Sequence, residues 1–420
     1  FGGIIQFSSL LALIPLFKKT KTDHLFLILI LTCPITFFLV SSPKPQLLHS
    51  ISSLLIFVFL IRYSSKLHQL ELKIVFPFII SILCLDSLSK YSFHLSSFLL
   101  VSYFFYIMCK KKLTIYSLTS IFIIFIILYL PFLNFRFVNF QTGFFELLSS
   151  PLPINIYGYQ KHHDLLSGGS LSLIKILLPT SLLAFSTTYG PLLIFLFLMI
   201  NKNISKYKIP ITIIFIFIVC VFMLGSNLPR FLFEGFLWLT YIVSIIVNTK
   251  TLIYRLFSKL IYLQIFIIFP IYLFYSFALF PGSLSQNLKT TIMKKNANGY
   301  ELAEWVNSKL NDNDILLSTH RSTSLFKNET FSDTFSWHMD FLDERSNIYF
   351  DFLKSKKVNR ILFYKNDQKK KDYKKCIGKL LHYKEKAGNH VGRNPLNSSK
   401  PYKAWIYEFK SKELPNCLLR

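Results

Sequence analysis

The chain is 420 residues long, with 47 Lys and Arg against 21 Asp and Glu, a net charge of +26, and 52% hydrophobic residues that include 45 Phe. A mean hydropathy of +0.44 with only 16% charged residues excludes an ordinary soluble globular chain and points to a polytopic membrane protein. The positive charge does not imply a nucleic-acid partner, because in the apolar part most of it falls in short connections between apolar runs, where anionic lipid headgroups account for it.

In chain order, membrane spans are expected near residues 2–17, 25–40, 47–61, 74–88, 93–109, 113–133, 171–200, 210–224, 231–247 and 261–280. Several of these are shorter than the roughly 20 residues that an untilted helix needs. The connections alternate in charge. One set holds Lys18, Lys19 and Lys21, then Arg62, Lys66 and Lys73, then Lys110, Lys111 and Lys112, then Lys202, Lys206 and Lys208, then Lys250, Arg255 and Lys259. The other set holds Lys44, then Lys90, then Arg136 and Lys161, then Arg230. Cytoplasmic loops are the ones enriched in Lys and Arg, so the first set is assigned to the cytoplasm. With about ten crossings the chain then enters from the outer side, and the segment after residue 280 lies outside. Because the sequence starts with Phe1, directly in an apolar run, an upstream portion of the natural protein is expected to precede it.

From about residue 285 the composition becomes that of a soluble domain, which divides the chain into a transmembrane helical domain over 1–285 and an extracytoplasmic α/β domain over 286–420. Leu302, Trp305, Val306 and Leu310 have helical spacing and predict an amphipathic helix over 298–310. A buried strand is predicted over 315–317, a helix over 348–356, a strand over 358–364 and a closing strand over 405–409. This pattern suits a small domain with a partly parallel sheet. The basic run 365–375 reads as a solvated face ahead of a phosphate or lipid site.

Cys33, Cys84, Cys109 and Cys220 fall in or at the ends of apolar runs, where a thiol acts as a small hydrophobe. Cys376 and Cys417 lie in the outer domain, where a disulfide between them is open. No Cys or His spacing resembles a structural zinc site, so no metal site is assigned.

Acidic residues are scarce in the apolar part, which holds only Asp23, Glu71, Asp86, Glu146, Asp164 and Glu234. The last four fall at or near the outer face. A carboxylate held near hydrocarbon is costly, by about 2.5 to 3.5 kcal/mol on insertion scales, so each is a candidate functional group as well as a candidate loop carboxylate. The connection 134–170 is the longest and holds Glu146, His162, His163 and Asp164. A loop of that length suits a lid or binding element. Adjacent histidines point to different faces, which favours contact with a phosphate or sugar hydroxyl over a paired metal site. Lys44 sits between Pro43 and Pro45, which stiffen its turn. Arg230 follows Pro229 at an outer boundary with Glu234 one helical turn on, and its forked guanidinium suits a phosphate.

An apolar bundle with polar elements on its outer face and a C-terminal α/β domain resembles the C superfamily of membrane glycosyltransferases, GT-C. The segment Thr142, Gly143, Phe144, Phe145, Glu146 is similar to a Gly-Asn-Pro-aromatic loop of bacterial members, although the Asn-Pro is absent here. Leu228, Pro229, Arg230, Phe231 is similar to their Pro-Arg-Tyr segment, and residues 298–318 look like the helix and strand that open their outer domain. The resemblance implies an integral membrane glycosyltransferase that moves a hexosyl or pentosyl group from a polyprenyl-phosphate carrier to a lipid, glycan or protein acceptor. The implied setting is a bacterial inner membrane with the C-terminal domain outside.

Members of that superfamily carry a catalytic Asp or paired acids in their first outer loop, and nothing in residues 1–40 matches it. The general base is therefore expected in the upstream portion, with Glu146 and Asp164 as the candidates within this chain for orienting the acceptor or a divalent metal. Lys44, Arg230, His162, His163 and Glu234 are the substrate-binding candidates. The reaction needs one carboxylate to deprotonate the acceptor and cations to stabilise the leaving phosphate. Two other classes fit the composition: a non-catalytic envelope protein with an outer interaction domain, and a lipid or solute transporter.

Overall fold

The structure is a computed structural model, and it describes residues 2–18, 22, 24–41, 46–64, 66–89, 93–140, 176–178, 188–200, 203–223, 229–320, 322–332, 344–365, 373, 375–390, 400–414, 416 and 417. The chain divides into two compact units, one falling within Phe1–Ile271 and one spanning Tyr272–Arg420.

The first unit is helical. Its described helices are α1 (Gly2–Leu11), α2 (Leu13–Lys18), α3 (Leu25–Thr32), α4 (Pro34–Ser41), α5 (Gln46–Arg62), α6 (Gln69–Ser89), α7 (Phe93–Lys110), α8 (Thr114–Ile124), α9 (Leu130–Phe140), α10 (Leu192–Leu198), α11 (Lys208–Met223), α12 (Phe233–Ile246) and the part of α13 (Leu252–Leu279) up to Ile271. Among the described residues, the segments Gln69–Ser89, Phe93–Lys110, Thr114–Phe135, Ser205–Met223 and Leu252–Ile271 are long and apolar enough to cross a membrane, and Ile5–Lys18 and Gln46–Arg62 are shorter apolar helices. Large apolar side chains such as Ile115, Phe266 and Phe277 are exposed on these helices. That outward-facing apolar surface suits lipid rather than water.

Several boundaries differ from expectation: the run 2–17 is two helices, α1 and α2, and α6 begins at Gln69 rather than near residue 74. The apolar run 25–40 is two helices, because Pro34 disfavours helical backbone at Cys33, which is extended (φ −66°, ψ 126°). The run 113–133 continues as helix to Phe140, through a π-helical turn at Phe125–Tyr129. The last run is the C-terminal part of the longer helix α13.

The centre of this unit is α12, in which every residue except Ile245 is buried. Trp238 stacks on Phe57 of α5 at 5.1 Å and lies 5.2 Å from Phe217 of α11. Gly235 allows that approach, since a Cβ there would sit 2.8 Å from Phe217 Cδ1.

The second unit adds α14 (Gln286–Asn296), α15 (Tyr300–Asn307), β1 (Leu316–Ser318), β2 (Thr330–Ser332), α16 (Glu344–Ser355), β3 (Arg360–Tyr364), β4 (Ile377–His390) and β5 (Lys400–Phe409). The strand order is β2-β1-β3-β5-β4. Strand β1 pairs parallel with both β2 and β3, whereas β5 pairs antiparallel with β3 and β4. The two faces are covered separately, as strand periodicity requires. Leu317, Ile361 and Phe363 pack with Phe350 and Leu353 of α16, while Leu316, Leu362 and Ile406 pack with Leu302 and Val306 of α15. Cys376 and Cys417 are joined by a disulfide in the first of these clusters, which answers the pairing left open by sequence.

Candidate functional site

The helices of the membrane unit sort their loops by charge. Helices α5 and α12 run side by side in the same direction, from Gln46 beside Arg230, through Ser50 with Glu234, to Arg62 over the Tyr241 ring at 5.2 Å. At the Arg62 end the basic connections meet one another: Gln69 Nε2 donates to Lys111 O at 3.0 Å, and Tyr116 Oη donates to Lys73 O at 2.6 Å. The opposite end holds Gln6, Gln46, His49, Ser50, Asp86, Ser89, Arg230 and Glu234.

That charge-poor end is organised by the first turns of α5. Gln46, His49, Ser50 and Ser53 follow one another at i, i+3, i+4 and i+7, a polar stripe along a largely apolar helix. The backbone N–H of Leu47 donates to Gln6 Oε1 at 3.0 Å, and Gln46 Nε2 donates to Arg230 O at 3.2 Å. Ser50 Oγ donates to Glu234 Oε1 at 2.6 Å. Glu234 is 1% exposed, and a buried carboxylate is tolerated only when it is hydrogen-bonded. Its place in the first turn of α12 also sets it at the positive end of the helix dipole.

One position earlier on α5, about 100° around the helix, His49 turns to α6 instead. Its Nδ1 lies 2.6 Å from Asp86 Oδ1, and its Nε2 lies 2.9 Å from Ser89 Oγ. Ser89 Oγ is also 2.6 Å from Asp86 O. Phe93, at the start of α7, packs on the imidazole at 5.0 Å. The adjoining Ser87 hydroxyl is bonded to Tyr129, which the π turn carries toward it, and His94 lies 6.2 Å from that ring.

Of the substrate-binding candidates, Arg230 and Glu234 are described. Arg230 is partly buried, with its guanidinium 5.3 Å from the Phe231 ring. Glu234 is buried and engaged by Ser50, a position from which it orients α5 against α12. Lys44, Glu146, His162, His163 and Asp164 lie outside the described residues. Among the described residues, no three His, Cys, Asp or Glu side chains converge into a metal site. Sequence reasoning singled out the carboxylates but missed Gln46, His49, Ser50 and Ser89. The signal for the first three was the polar stripe at helical spacing, and for Ser89 its place three residues after Asp86.

The second unit holds a buried polar and aromatic cluster. His320 is 1% exposed, its Nδ1 accepts the Ser322 N–H at 3.1 Å, and its ring meets Tyr364 at 4.7 Å and Tyr402 at 6.5 Å. Two glycines make room: a Cβ at Gly299 would sit 2.3 Å from His320 Cε1, and one at Gly388 would sit 2.8 Å from Tyr402 Oη. Burial, together with nearby Tyr364 and Glu301, raises the Tyr402 phenol above its ordinary pKa, so it stays neutral.

No curated protein and no solved structure matches this chain. Two family descriptions do, and together they cover nearly all of it: residues 1–293 match the DUF1420 N-terminal domain and residues 294–419 match the DUF1420 C-terminal domain. The apolar helical unit and the mixed-sheet unit thus correspond closely to the two parts of one family architecture, and the chain belongs to the DUF1420 family.

Proposed function

We propose that the protein is an integral membrane glycosyltransferase that takes a sugar from a polyprenyl-phosphate carrier at the charge-poor end of its helical bundle and delivers it to a lipid, glycan or protein acceptor. The observation that carries this reading is Arg230. It stands at the entry to the central helix α12, its backbone carbonyl is tied to Gln46, and the neighbouring Glu234 is engaged by Ser50. A guanidinium carried on this anchored turn is the group suited to a lipid-linked phosphate.

The finer topology belongs to the same proposal: about ten crossings, basic loops in the cytoplasm and the C-terminal unit outside, in a bacterial inner membrane. Its support is that α5 and α12, both odd-numbered spans in the expected order, are parallel, and that loops assigned to one side touch one another. The Cys376–Cys417 disulfide supports an oxidising compartment for the second unit.

The test is Arg230→Lys in membrane vesicles supplied with a polyprenyl-phosphate sugar. Turnover should fall by at least about tenfold with the inserted amount unchanged, because an ammonium cannot reproduce the bidentate fork. An unchanged rate would remove Arg230 from phosphate binding.

A further inference from the structure

We propose that Ser89, His49 and Asp86 form an acyl-transfer centre that accepts an ester-linked acyl chain from a membrane lipid. Asp86 Oδ1, His49 Nδ1, His49 Nε2 and Ser89 Oγ form a continuous line, with contacts of 2.6 Å and 2.9 Å. This is the order in which a carboxylate orients an imidazole and the imidazole takes the proton of a nucleophilic hydroxyl.

Accessibility follows the same order. The Asp86 and His49 side chains are 11% and 13% exposed, and Ser89 is exposed. The hydroxyl that would meet a substrate is thus the open member of the set, and the carboxylate is the shielded one. Asp86 Oδ2 is buried with no hydrogen-bond partner among the described residues, so the imidazole is the polar group on which the carboxylate acts. With Nδ1–H donating to the carboxylate, the neutral imidazole keeps Nε2 as an acceptor for the Ser89 proton. In this structure the Ser89 hydroxyl donates to Asp86 O at 2.6 Å, and rotation about its C–O bond turns the same proton to Nε2.

Depth selects the substrate class. Helix α6 has 21 residues and ends at Ser89. The apolar stretch of α6 begins at Ile74 and runs to Leu88, which sets Ser89 at the boundary between acyl chains and headgroups. The ester carbonyls of glycerolipids lie there. Leu85, one turn before Ser89, and Phe98 on α7 are exposed apolar side chains along which an acyl chain can lie.

In the reaction, Ser89 Oγ adds to the ester carbonyl carbon while His49 Nε2 takes the hydroxyl proton. Collapse breaks the bond from that carbon to the alkoxy oxygen, and His49 returns the proton to the departing alcohol. An acyl ester on Ser89 remains. An acceptor hydroxyl or water then attacks it, passes its proton through His49 to Ser89 Oγ, and leaves with the acyl group. No oxidant or reductant is needed.

The experiment uses the full chain in detergent micelles and a fluorophosphonate probe bearing an alkyl chain, with the labelled peptide identified by mass spectrometry. Ser89 should be labelled, and Ser89→Ala, which alters only an exposed hydroxyl, should abolish that adduct. His49→Gln and Asp86→Asn should each slow labelling by at least about 100-fold. As a second readout, Ser89→Cys should be acylated by a p-nitrophenyl acyl ester faster than Ser89→Cys combined with His49→Gln. The proposal is overturned if Ser89 reacts no faster than other exposed serines, or if the His49 and Asp86 variants react as fast as the natural chain. The probe reaction needs no sugar donor, so its failure and that of the glycosyl-transfer reading are separate results.

Discussion

Ser50 and Glu234 are 184 positions apart in the chain, yet the serine hydroxyl donates to the glutamate Oε1 at 2.6 Å, and both side chains are fully buried between α5 and α12. Ser50→Ala removes a donor from a buried carboxylate, at a cost of about 1 to 3 kcal/mol. Glu234→Gln keeps an acceptor for the same hydroxyl and should cost less. Thermal unfolding in detergent should rank Ser50→Ala below Glu234→Gln. Combined removal of both groups should cost less than the sum of the single changes. Strict additivity would show that the contact does not couple the two helices.

The helical character of the first unit was legible because long apolar runs mark its helices, although among the described residues five are long and apolar enough to cross a membrane against about ten expected. What was not legible has physical causes. The break at Cys33 depends on one proline inside a run that is otherwise uniformly apolar. The long strand β4 was missed because it is an edge strand: Lys379, Lys384, Glu385 and Lys386 break its alternation, and its register shifts against β5. Asp86 was visible as a scarce carboxylate. Its partner His49 was not, because the contact joins two helices through positions that carry no mark of pairing in the sequence.

The second unit offers a steric test. Gly299 precedes α15 with φ +83°, and a Cβ there would fall 2.3 Å from the buried ring of His320. Gly299→Ala therefore faces both a left-handed backbone and an overpacked contact, which together cost about 2 to 4 kcal/mol. Denaturant unfolding of the second unit should show that loss. His320→Ala placed on the Gly299→Ala background should recover part of it by vacating the clash. A Gly299→Ala variant as stable as the natural chain would mean that the ring is not held against this glycine.

The Cys376–Cys417 bridge links the start of β4 to the chain's C-terminal end across a sequence separation of 41. By the chain-entropy relation, a loop of that size is worth about 4 kcal/mol, so Cys417→Ser should lower the unfolding temperature of the second unit. The same bridge reports on topology. In intact cells a membrane-impermeant maleimide should fail to label either cysteine, and it should label both after treatment with an impermeant reductant. A periplasm-active reporter fused after Gln286 should be active, as the charge pattern of the loops requires. If labelling needs the membrane to be broken first, the second unit is cytoplasmic. The positive-inside assignment would then reverse, and the polar end of the bundle built by His49, Ser50, Asp86 and Glu234 would face the cytoplasm.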